Sequence, residues 1–199
     1  MGVDHERVDS WAMPHKLEDE YGLTADELLD ALDKRFRAKV TLEGAVAEVH
    51  MEKQIRALQV TGIIARYEEH DKDRYPDFTI WLPDRAEPIL AECKNVRDTT
   101  EAYRSKGVIV GYKVETQKTR TSKEDASSRF YGVNQFQLIG VCLGKKTKNW
   151  AQFMYVRVEH LAIHKTHAGK LAAMQRVPLP DSHDIAPWTN TLSDLLATF

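Results

Sequence analysis

Two strand-like segments separated by a short turn constrain the fold of this chain more than any other feature. Residues 77–82 alternate between polar and apolar side chains, and residues 89–96 form a second segment of the same kind. The stretch 83–88 between them begins and ends with proline, which is typical of a turn. The sequence therefore predicts an antiparallel β-hairpin.

Other elements are predicted on both sides of this hairpin. Thr24-Ala-Asp-Glu27 is a capping box that opens a helix. A second helix, over about 42–59, carries apolar residues on two opposite faces, which indicates packing between two layers. Further strands are predicted at 63–67, 108–114, 136–143 and 152–158, a short helix at 98–106, a loop at 119–128, a hairpin with a basic tip at 144–149, and a last amphipathic helix at 192–199. This order predicts a mixed α/β fold in which helices flank a central β-sheet.

The N-terminal region differs from the rest of the chain. Residues 1–22 are polar and irregular, and we expect them to form a loose arm. The arm and the first helix make an N-terminal helical extension over 1–40, and residues 41–199 are predicted to form one domain. Apolar residues make up 42% of the chain and charged residues 29%, which is the balance of a protein that can bury a core.

Several features bear on where the protein works. The longest stretch without a charged residue, 130–144, has 15 residues, whereas a membrane-spanning helix needs about 20. No apolar segment follows the first residues, so we expect no secretory signal and no membrane partner. Cys93 and Cys142 lie in apolar segments and are predicted to be buried thiols. Together these features predict a cytoplasmic protein.

Charge is distributed unevenly along the chain. Residues 1–93 contain 12 Lys and Arg against 21 Asp and Glu, whereas residues 94–148 contain 12 against 5. An acidic first half followed by a basic middle is compatible with a metal-dependent enzyme that acts on a polyanion. Solvated surface helices joined to basic loops would give the same distribution, so charge alone leaves both interpretations open.

The predicted hairpin brings charged residues together. With a two-residue loop at 84–85, Asp77 lies opposite Glu92; with a four-residue loop at 84–87, it lies opposite Lys94. Because side chains alternate along a strand, both registers place Asp77 on the same face as Glu92 and Lys94. Facing Cβ atoms are about 4.5–5.5 Å apart. Two carboxylates and an ammonium group are therefore predicted to converge at one place on the sheet.

This combination has a definite chemistry. Two carboxylates at short range repel each other unless a proton or a cation lies between them, and Mg²⁺ is a cation with the right preference for oxygen ligands. A nearby lysine can orient or deprotonate a water molecule, or neutralise the charge of a phosphate group. These are the parts needed to hydrolyse a phosphodiester. An ordinary surface hairpin with charged pairs across its strands is the alternative interpretation.

The segment Pro76-Asp77 … Glu92-Cys93-Lys94 resembles the PD-(D/E)xK nuclease superfamily, which includes restriction endonucleases and related resolvases and repair nucleases. The resemblance implies a restriction-endonuclease-like fold and a Mg²⁺-dependent endonuclease, with Mn²⁺ able to substitute. It implies that Asp77 and Glu92 bind the metal, that Cys93 contributes its backbone carbonyl, and that Lys94 acts on the attacking water.

The resemblance extends to the helix before the hairpin. In that family the first helix carries a further acid, often spaced as Gly-x-x-x-Glu, and Gly44-Ala-Val-Ala-Glu48 has this spacing. Glu48 is therefore predicted to belong to the catalytic set. Glu52 lies one helical turn further along the same face and is the competing candidate.

Residues 113–131, called the basic tract below, carry side chains that suit DNA. The basic and amide side chains of this tract can contact phosphates or base edges, and Phe130 and Tyr131 could stack on bases. The alternative is a solvated loop with two aromatic residues folded inward. The predicted DNA-binding residues are Lys113, Gln117, Lys118, Arg120, Lys123 and Arg129.

These features together predict a type II-like restriction endonuclease that cuts double-stranded DNA. Such an enzyme usually acts as a symmetric homodimer because duplex sites have two-fold symmetry. Two alternatives remain open from sequence. One is a nuclease of the same superfamily that recognises DNA structure or damage, and the other is a DNA-binding module that does not cleave.

Overall fold

The computed structural model of the protein describes residues 14–72, 75–98, 100–118 and 126–199. The chain divides into two compact units, residues up to Leu42 and residues 43–199. The predicted mixed α/β fold is confirmed: the described residues form helices near the N-terminus and eight strands arranged in two sheets.

Three helices lie near the start of the described residues, and the first two begin at capping boxes. They are α1 (Lys16–Tyr21), α2 (Ala25–Asp33) and α3 (Phe36–Val60). The Thr24 capping box is present as predicted, with the backbone N–H of Thr24 donating to the Glu27 carboxylate at 2.8 Å. The prediction of a loose arm is wrong for α1, because the His15 side chain caps its start and Gly22, with φ of 63°, ends it.

The second predicted helix is longer than expected and has one buried face. It begins at Phe36 rather than at residue 42, because α2 already ends at Asp33. Ala47, Met51 and Ile55 are buried at four-residue intervals. Val49, on the other apolar face, is 45% exposed. The prediction that this helix is packed on two sides is therefore wrong at Val49.

The sheets are built from short strands. They are β1 (Arg66–Glu69), β2 (Phe78–Trp81), β3 (Ile89–Asn95), β4 (Ala102–Ser105), β5 (Val108–Glu115), β6 (Leu138–Cys142), β7 (Phe153–Arg157) and β8 (Met174–Val177). The larger sheet has the order β1-β2-β3-β6-β7, and its β3–β6 pair is parallel while the other pairs are antiparallel. The smaller sheet has the order β4-β5-β8, with antiparallel pairs.

The larger sheet is covered differently on its two faces. One face packs against the buried residues of α3 and of the C-terminal helix α5 (Leu192–Leu196), with Phe199 packed beside them. A short helix, α4 (Gly144–Thr147), joins β6 to β7. The other face packs against the smaller sheet through residues such as Val114 and Val177, which share a cluster with Ile139 and Val141. Cys93 and Cys142 are both buried and free, as predicted.

Three segments differ from their predictions. Residues 98–106 do not form a helix: β4 lies there, paired with β5 through a turn at Lys106 and Gly107, both of which have positive φ. Positive φ at both central residues is the signature of the type I′ turn, whose twist suits a hairpin. The predicted basic hairpin tip at 144–149 contains the helical turn α4 between β6 and β7. Strand β8 was not predicted.

Candidate active site

The hairpin of β2 and β3 has the first of the two predicted registers. Phe78 pairs with Ala91, and Ile80 pairs with Ile89. Extending this register by one residue places Asp77 opposite Glu92, not opposite Lys94. The connection is a loop over 82–88 rather than a two-residue turn, because the strand pairing stops at Ile80 and Ile89.

The charged residues of β3 lie on the face of the sheet that is turned away from α3. Glu92 pairs with Ile139 and Lys94 with Val141, and both of these β6 residues belong to the core beneath the smaller sheet. Cys93, between them, belongs to the core beneath α3. Asp77 shares the face of Glu92 because directly opposed residues of a hairpin point the same way.

Glu92 is more deeply buried than Asp77. It is only 4% exposed, and its Oε1 atom accepts hydrogen bonds from Lys94 Nζ and from the Tyr131 hydroxyl, both at 2.5 Å. Its Oε2 atom has no hydrogen-bond partner among the described residues. A buried carboxylate with two donors on one oxygen is fixed in orientation, which is the property that a metal ligand or a catalytic group needs.

Asp77 lies in an environment that opposes its ionisation. Its Oδ2 atom accepts a hydrogen bond from the backbone N–H of Cys93 at 2.7 Å. Burial, reinforced by the negative charge of Glu92, raises the pKa of Asp77 from its ordinary value of 3.8 to about 7, although Lys94 and the Cys93 N–H act against this rise. A cation next to Asp77 would remove this penalty.

The backbone of Cys93 also faces Asp77. Leu90 uses both its N–H and its C=O to bond Gln137, on the β6 side of the strand. The N–H and C=O of one strand residue point to the same side, and this side alternates along the strand. The Cys93 carbonyl therefore faces the same side of β3 as the Cys93 N–H, which donates to Asp77.

Lys94 is held in its charged form. Its side chain is 25% exposed and pairs with Glu92. Burial alone would lower the pKa of Lys94, but the negative charge of Glu92 outweighs burial and raises the pKa above its ordinary value. Lys94 in this state can donate hydrogen bonds and neutralise negative charge, but it cannot take up a proton.

The two candidate acids of α3 have different surroundings. Burial, opposed by Lys94 and reinforced by Glu92, raises the pKa of Glu48, so this side chain belongs to the same group of charges. Glu52 instead accepts hydrogen bonds from the Tyr67 hydroxyl at 2.7 Å and from Arg56 at 2.5 Å. These hydrogen bonds lower the pKa of Glu52. Glu52 is therefore engaged with Tyr67 and Arg56, whereas the charges of Lys94 and Glu92 act on Glu48.

The set of oxygen atoms at this place suits a hard divalent cation. Asp77, Glu92 and the Cys93 carbonyl are oxygen donors of the type that Mg²⁺ prefers, and burial together with the charge of Glu92 raises the pKa of Asp77. Within the described ranges, no group of three or more His, Cys, Asp and Glu side chains is arranged to hold a metal ion. A Mg²⁺ ion between Asp77 and Glu92 needs no third side chain, because Mg²⁺ usually keeps several waters.

The predicted DNA-binding residues are only partly described. Arg120 and Lys123 lie outside the described residues. Gln117 pairs with Phe130 through an isolated β-bridge, and the N–H of Lys118 donates to the Arg129 carbonyl at 2.8 Å. Residues 117–118 and 129–130 of the tract are therefore next to each other in the structure.

The remaining basic residues differ in how many contacts they make with other parts of the protein. Arg129 is exposed, and Lys113 on β5 has its Nζ 5.5 Å from the centre of the Tyr103 ring. Lys145 of the α4 turn is paired with Glu43 at 2.7 Å, and Lys146 donates to the backbone carbonyl of Glu101 at 2.7 Å. The α4 turn is therefore engaged with the protein itself.

Tyr131 is the residue of the site that the sequence pattern did not reveal. The tract suggested that it stacks on a base or folds inward, whereas its hydroxyl donates to Glu92. These two residues are 39 positions apart and come together only through the pairing of distant segments. His70, also unpredicted, contacts the same face through a 2.8 Å hydrogen bond between its Nε2 and Thr79 Oγ1.

The chain was also compared with known proteins. No family model matches the sequence, and no curated protein matches it. Among solved structures, a bacterial homing endonuclease, I-Ssp6803I, resembles the chain at 17% sequence identity with a TM-score of 0.44, over 74% of this chain and 83% of that one. Neither figure assigns a function to this chain. None of the helices in the described residues is both long and apolar enough to span a membrane.

Proposed function

We propose that this chain is a metal-dependent endodeoxyribonuclease of the PD-(D/E)xK type. The observation that carries the proposal is the meeting of Asp77, Glu92 and Lys94 on one face of β2 and β3, with Asp77 held near a pKa of about 7 by burial and by Glu92. Neighbouring carboxyl groups with a strongly raised pKa are typical of functional sites.

Asp77, Glu92 and the backbone carbonyl of Cys93 would hold Mg²⁺, for which Mn²⁺ could substitute. When bound, the metal would supply a Lewis acid for the scissile phosphate and lower the pKa of a bound water. Its positive charge would also stabilise the ionised form of both acids.

The protein's own side chains would then divide the remaining tasks. Lys94, which stays protonated, would neutralise charge that develops on the phosphate and orient the attacking water. Glu92 would keep its orientation through the hydrogen bonds on Oε1. Glu48 would add a third carboxylate from α3, close enough for the charges of Glu92 and Lys94 to act on its pKa.

The substrate that we propose is double-stranded DNA. Residues 94–148 carry a net charge of +7, and they contain β3 from Lys94 onward, β5 and the basic tract. Basic residues around an acidic metal site would contact the phosphates on either side of the scissile bond. We further propose a type II-like restriction endonuclease acting as a homodimer, with each copy cutting one strand.

The test is cleavage of supercoiled plasmid in Mg²⁺ by the parent protein and by Asp77→Ala and Glu92→Ala. We expect the parent to produce nicked and linear DNA, and both variants to lose cleavage while still binding DNA in Ca²⁺. Asp84→Ala is the matched control, because Asp84 is an exposed acid in the loop of the same hairpin. Full cleavage by either site variant, or cleavage by the parent in EDTA, would refute the proposal.

The same assay separates the finer alternatives. Preference for a plasmid sequence over junction and flap substrates supports a restriction enzyme, and the reverse supports a nuclease specific for DNA structure. Linear product without accumulation of nicked product, together with a mass of two chains in solution, supports the homodimer. DNA binding without cleavage at any Mg²⁺ or Mn²⁺ concentration would indicate a non-cleaving DNA-binding module.

A further inference from the structure

The Tyr131 hydroxyl is placed where it controls the geometry of Glu92. It donates to Oε1 of Glu92 at 2.5 Å, and Lys94 Nζ donates to the same oxygen at the same distance. Two donors on one oxygen fix the plane of the carboxylate. Among the described residues, Oε2 of Glu92 is left without a hydrogen-bond partner.

Tyr131 is itself held firmly by its surroundings. Its ring packs edge-on against Phe136, with the ring centres 5.2 Å apart, and its backbone carbonyl accepts a hydrogen bond from the N–H of Leu171 at 2.9 Å. Its O–H group donates to Oε1 of Glu92 from this packed ring. The hydroxyl is therefore a fixed donor.

We infer that Tyr131 is a positioning residue that, with Lys94, occupies Oε1 of Glu92 and thereby leaves Oε2 to bind a divalent cation. The inference rests on the proposed function, because it concerns the same metal site. Groups that orient a ligating carboxylate typically change metal affinity or activity by about 10- to 100-fold when they are removed. Tyr131 does not contact the metal or the substrate in this inference; it acts through Glu92.

The position of Tyr131 also connects the metal site to the basic tract. The Nζ atom of Lys118 lies 5.7 Å from the centre of the Tyr131 ring, and Lys94 Nζ lies 5.6 Å from it. The neighbouring residue Phe130 pairs with Gln117. Removal of the hydroxyl alone leaves these ring contacts in place, so Tyr131→Phe removes only what the hydroxyl itself contacts, which is Glu92 and Lys94.

The experiment compares Tyr131→Phe with Tyr155→Phe in the full-length protein. Tyr155 is the matched control: its hydroxyl also donates to a side-chain oxygen, that of Gln54 at 2.7 Å, but in the core beneath α3. The primary measurement is Ca²⁺ affinity by calorimetry without DNA. The second is the Mg²⁺ concentration that gives half-maximal single-turnover cleavage, alongside the rate at saturating Mg²⁺.

We expect Tyr131→Phe to weaken Ca²⁺ binding and to raise the half-maximal Mg²⁺ concentration, each by about 10- to 100-fold. Tyr155→Phe should leave both unchanged. Equal metal affinity in the parent and in Tyr131→Phe would overturn this inference while leaving the proposed function intact. A parent protein that binds neither Ca²⁺ nor Mg²⁺ would overturn the proposed function as well.

A thermal-melting cycle without metal tests the contact independently of cleavage. If the hydroxyl acts through Glu92, Tyr131→Phe lowers the melting temperature of the parent but lowers that of Glu92→Ala much less. An equal loss in both backgrounds would show that the hydroxyl acts elsewhere and would overturn the inference. If Tyr131→Phe does not fold in the parent background, folding of Tyr131→Phe/Glu92→Ala would still support the coupling, and failure of the double variant would overturn it.

Discussion

At residue 77, a half-buried carboxyl group lies near the buried carboxyl group of Glu92, and this arrangement makes stability depend on pH. The pKa of Asp77 rises from 3.8 to about 7 in the folded protein, with burial as the main cause and Glu92 as the second. Between these two values the folded chain binds a proton that the unfolded chain has lost. The free energy of unfolding therefore falls as the pH rises through this range.

We predict that Asp77→Asn removes this dependence in metal-free protein. The contribution of Asp77 is at most about 1.4 kcal/mol per pH unit. The parent and Asp77→Asn should be similarly stable near pH 4, and the variant should be the more stable of the two near pH 8. Urea unfolding in EDTA across this range is the measurement. Parallel curves for the two proteins at all pH values would contradict the assignment of a raised pKa to Asp77.

The two acids of α3 offer a second prediction at the residue scale. Glu48→Gln should slow plasmid cleavage by about 10- to 100-fold, because Glu48 shares its charge environment with Glu92 and Lys94. Glu52→Gln is the matched control and should cleave nearly as fast as the parent, since Glu52 is engaged with Tyr67 and Arg56. Nicking rates over a range of Mg²⁺ concentrations measure both. Greater loss in Glu52→Gln would assign the supporting role to Glu52.

The sequence could predict that Asp77, Glu92 and Lys94 share one face of the sheet, but not that Tyr131 contacts Glu92. Asp77, Glu92 and Lys94 lie on two consecutive strands, so alternation along each strand was enough to place them on one face. The choice between two registers needed the structure, because the loop at 82–88 follows neither simple turn. The contact of Tyr131 with Glu92 depends on segments that no local pattern joins.

At the scale of elements, the hairpin and the central sheet followed from alternation, and the errors fell where local signals were weak. Residues 98–106 appeared compatible with a short helix, but the turn at Lys106 and Gly107 pairs β4 with β5. Asn-Gly is the usual sequence for such a turn, so the Lys-Gly sequence does not strongly predict a hairpin at this position. Strand β8 has only four residues, and it pairs with β5, which lies far from it in the sequence.

The packing of α3 on the sheet depends on one glycine of β6. A Cβ atom at Gly140 would lie 2.8 Å from Cε1 of Tyr155 and 2.9 Å from Sδ of Met51. We therefore predict that Gly140→Ala lowers the free energy of unfolding by about 1–3 kcal/mol, because the helix or the tyrosine ring must shift. Urea unfolding measures the loss.

Gly132→Ala is the matched control for that measurement. The nearest atom to a Cβ at Gly132 is Cγ of Gln135 at 3.6 Å, which is an ordinary contact distance. This variant should change stability by less than about 1 kcal/mol. If Gly140→Ala were as stable as Gly132→Ala, the close approach of α3 to β6 would not limit the packing of the sheet.

At the scale of the whole molecule, charge is sorted along the chain and the fold brings the two signs together. The acids at positions 48, 77 and 92 come from the first half, whose net charge is −9, whereas Lys94 begins the stretch whose net charge is +7. Strand β3 contains this change of sign, and the segment from β5 to Arg129 supplies five of the eleven remaining basic residues of that stretch. A metal-binding group surrounded by positive charge would attract a polyanion and hold it at the carboxylates.

The last prediction follows from this arrangement. Neutralising DNA phosphates releases counterions, so the affinity for duplex DNA should fall steeply as salt rises, and each lost phosphate contact should reduce the slope of log affinity against log salt by about 1. Lys118→Gln and Arg129→Gln should each show this reduction with cognate and scrambled duplexes alike, measured in Ca²⁺ to prevent cutting. Lys53→Gln is the control, since Lys53 is an exposed lysine on α3. If all three variants keep the slope of the parent, DNA binds elsewhere on the protein, and Lys113 on β5 is the next residue to replace.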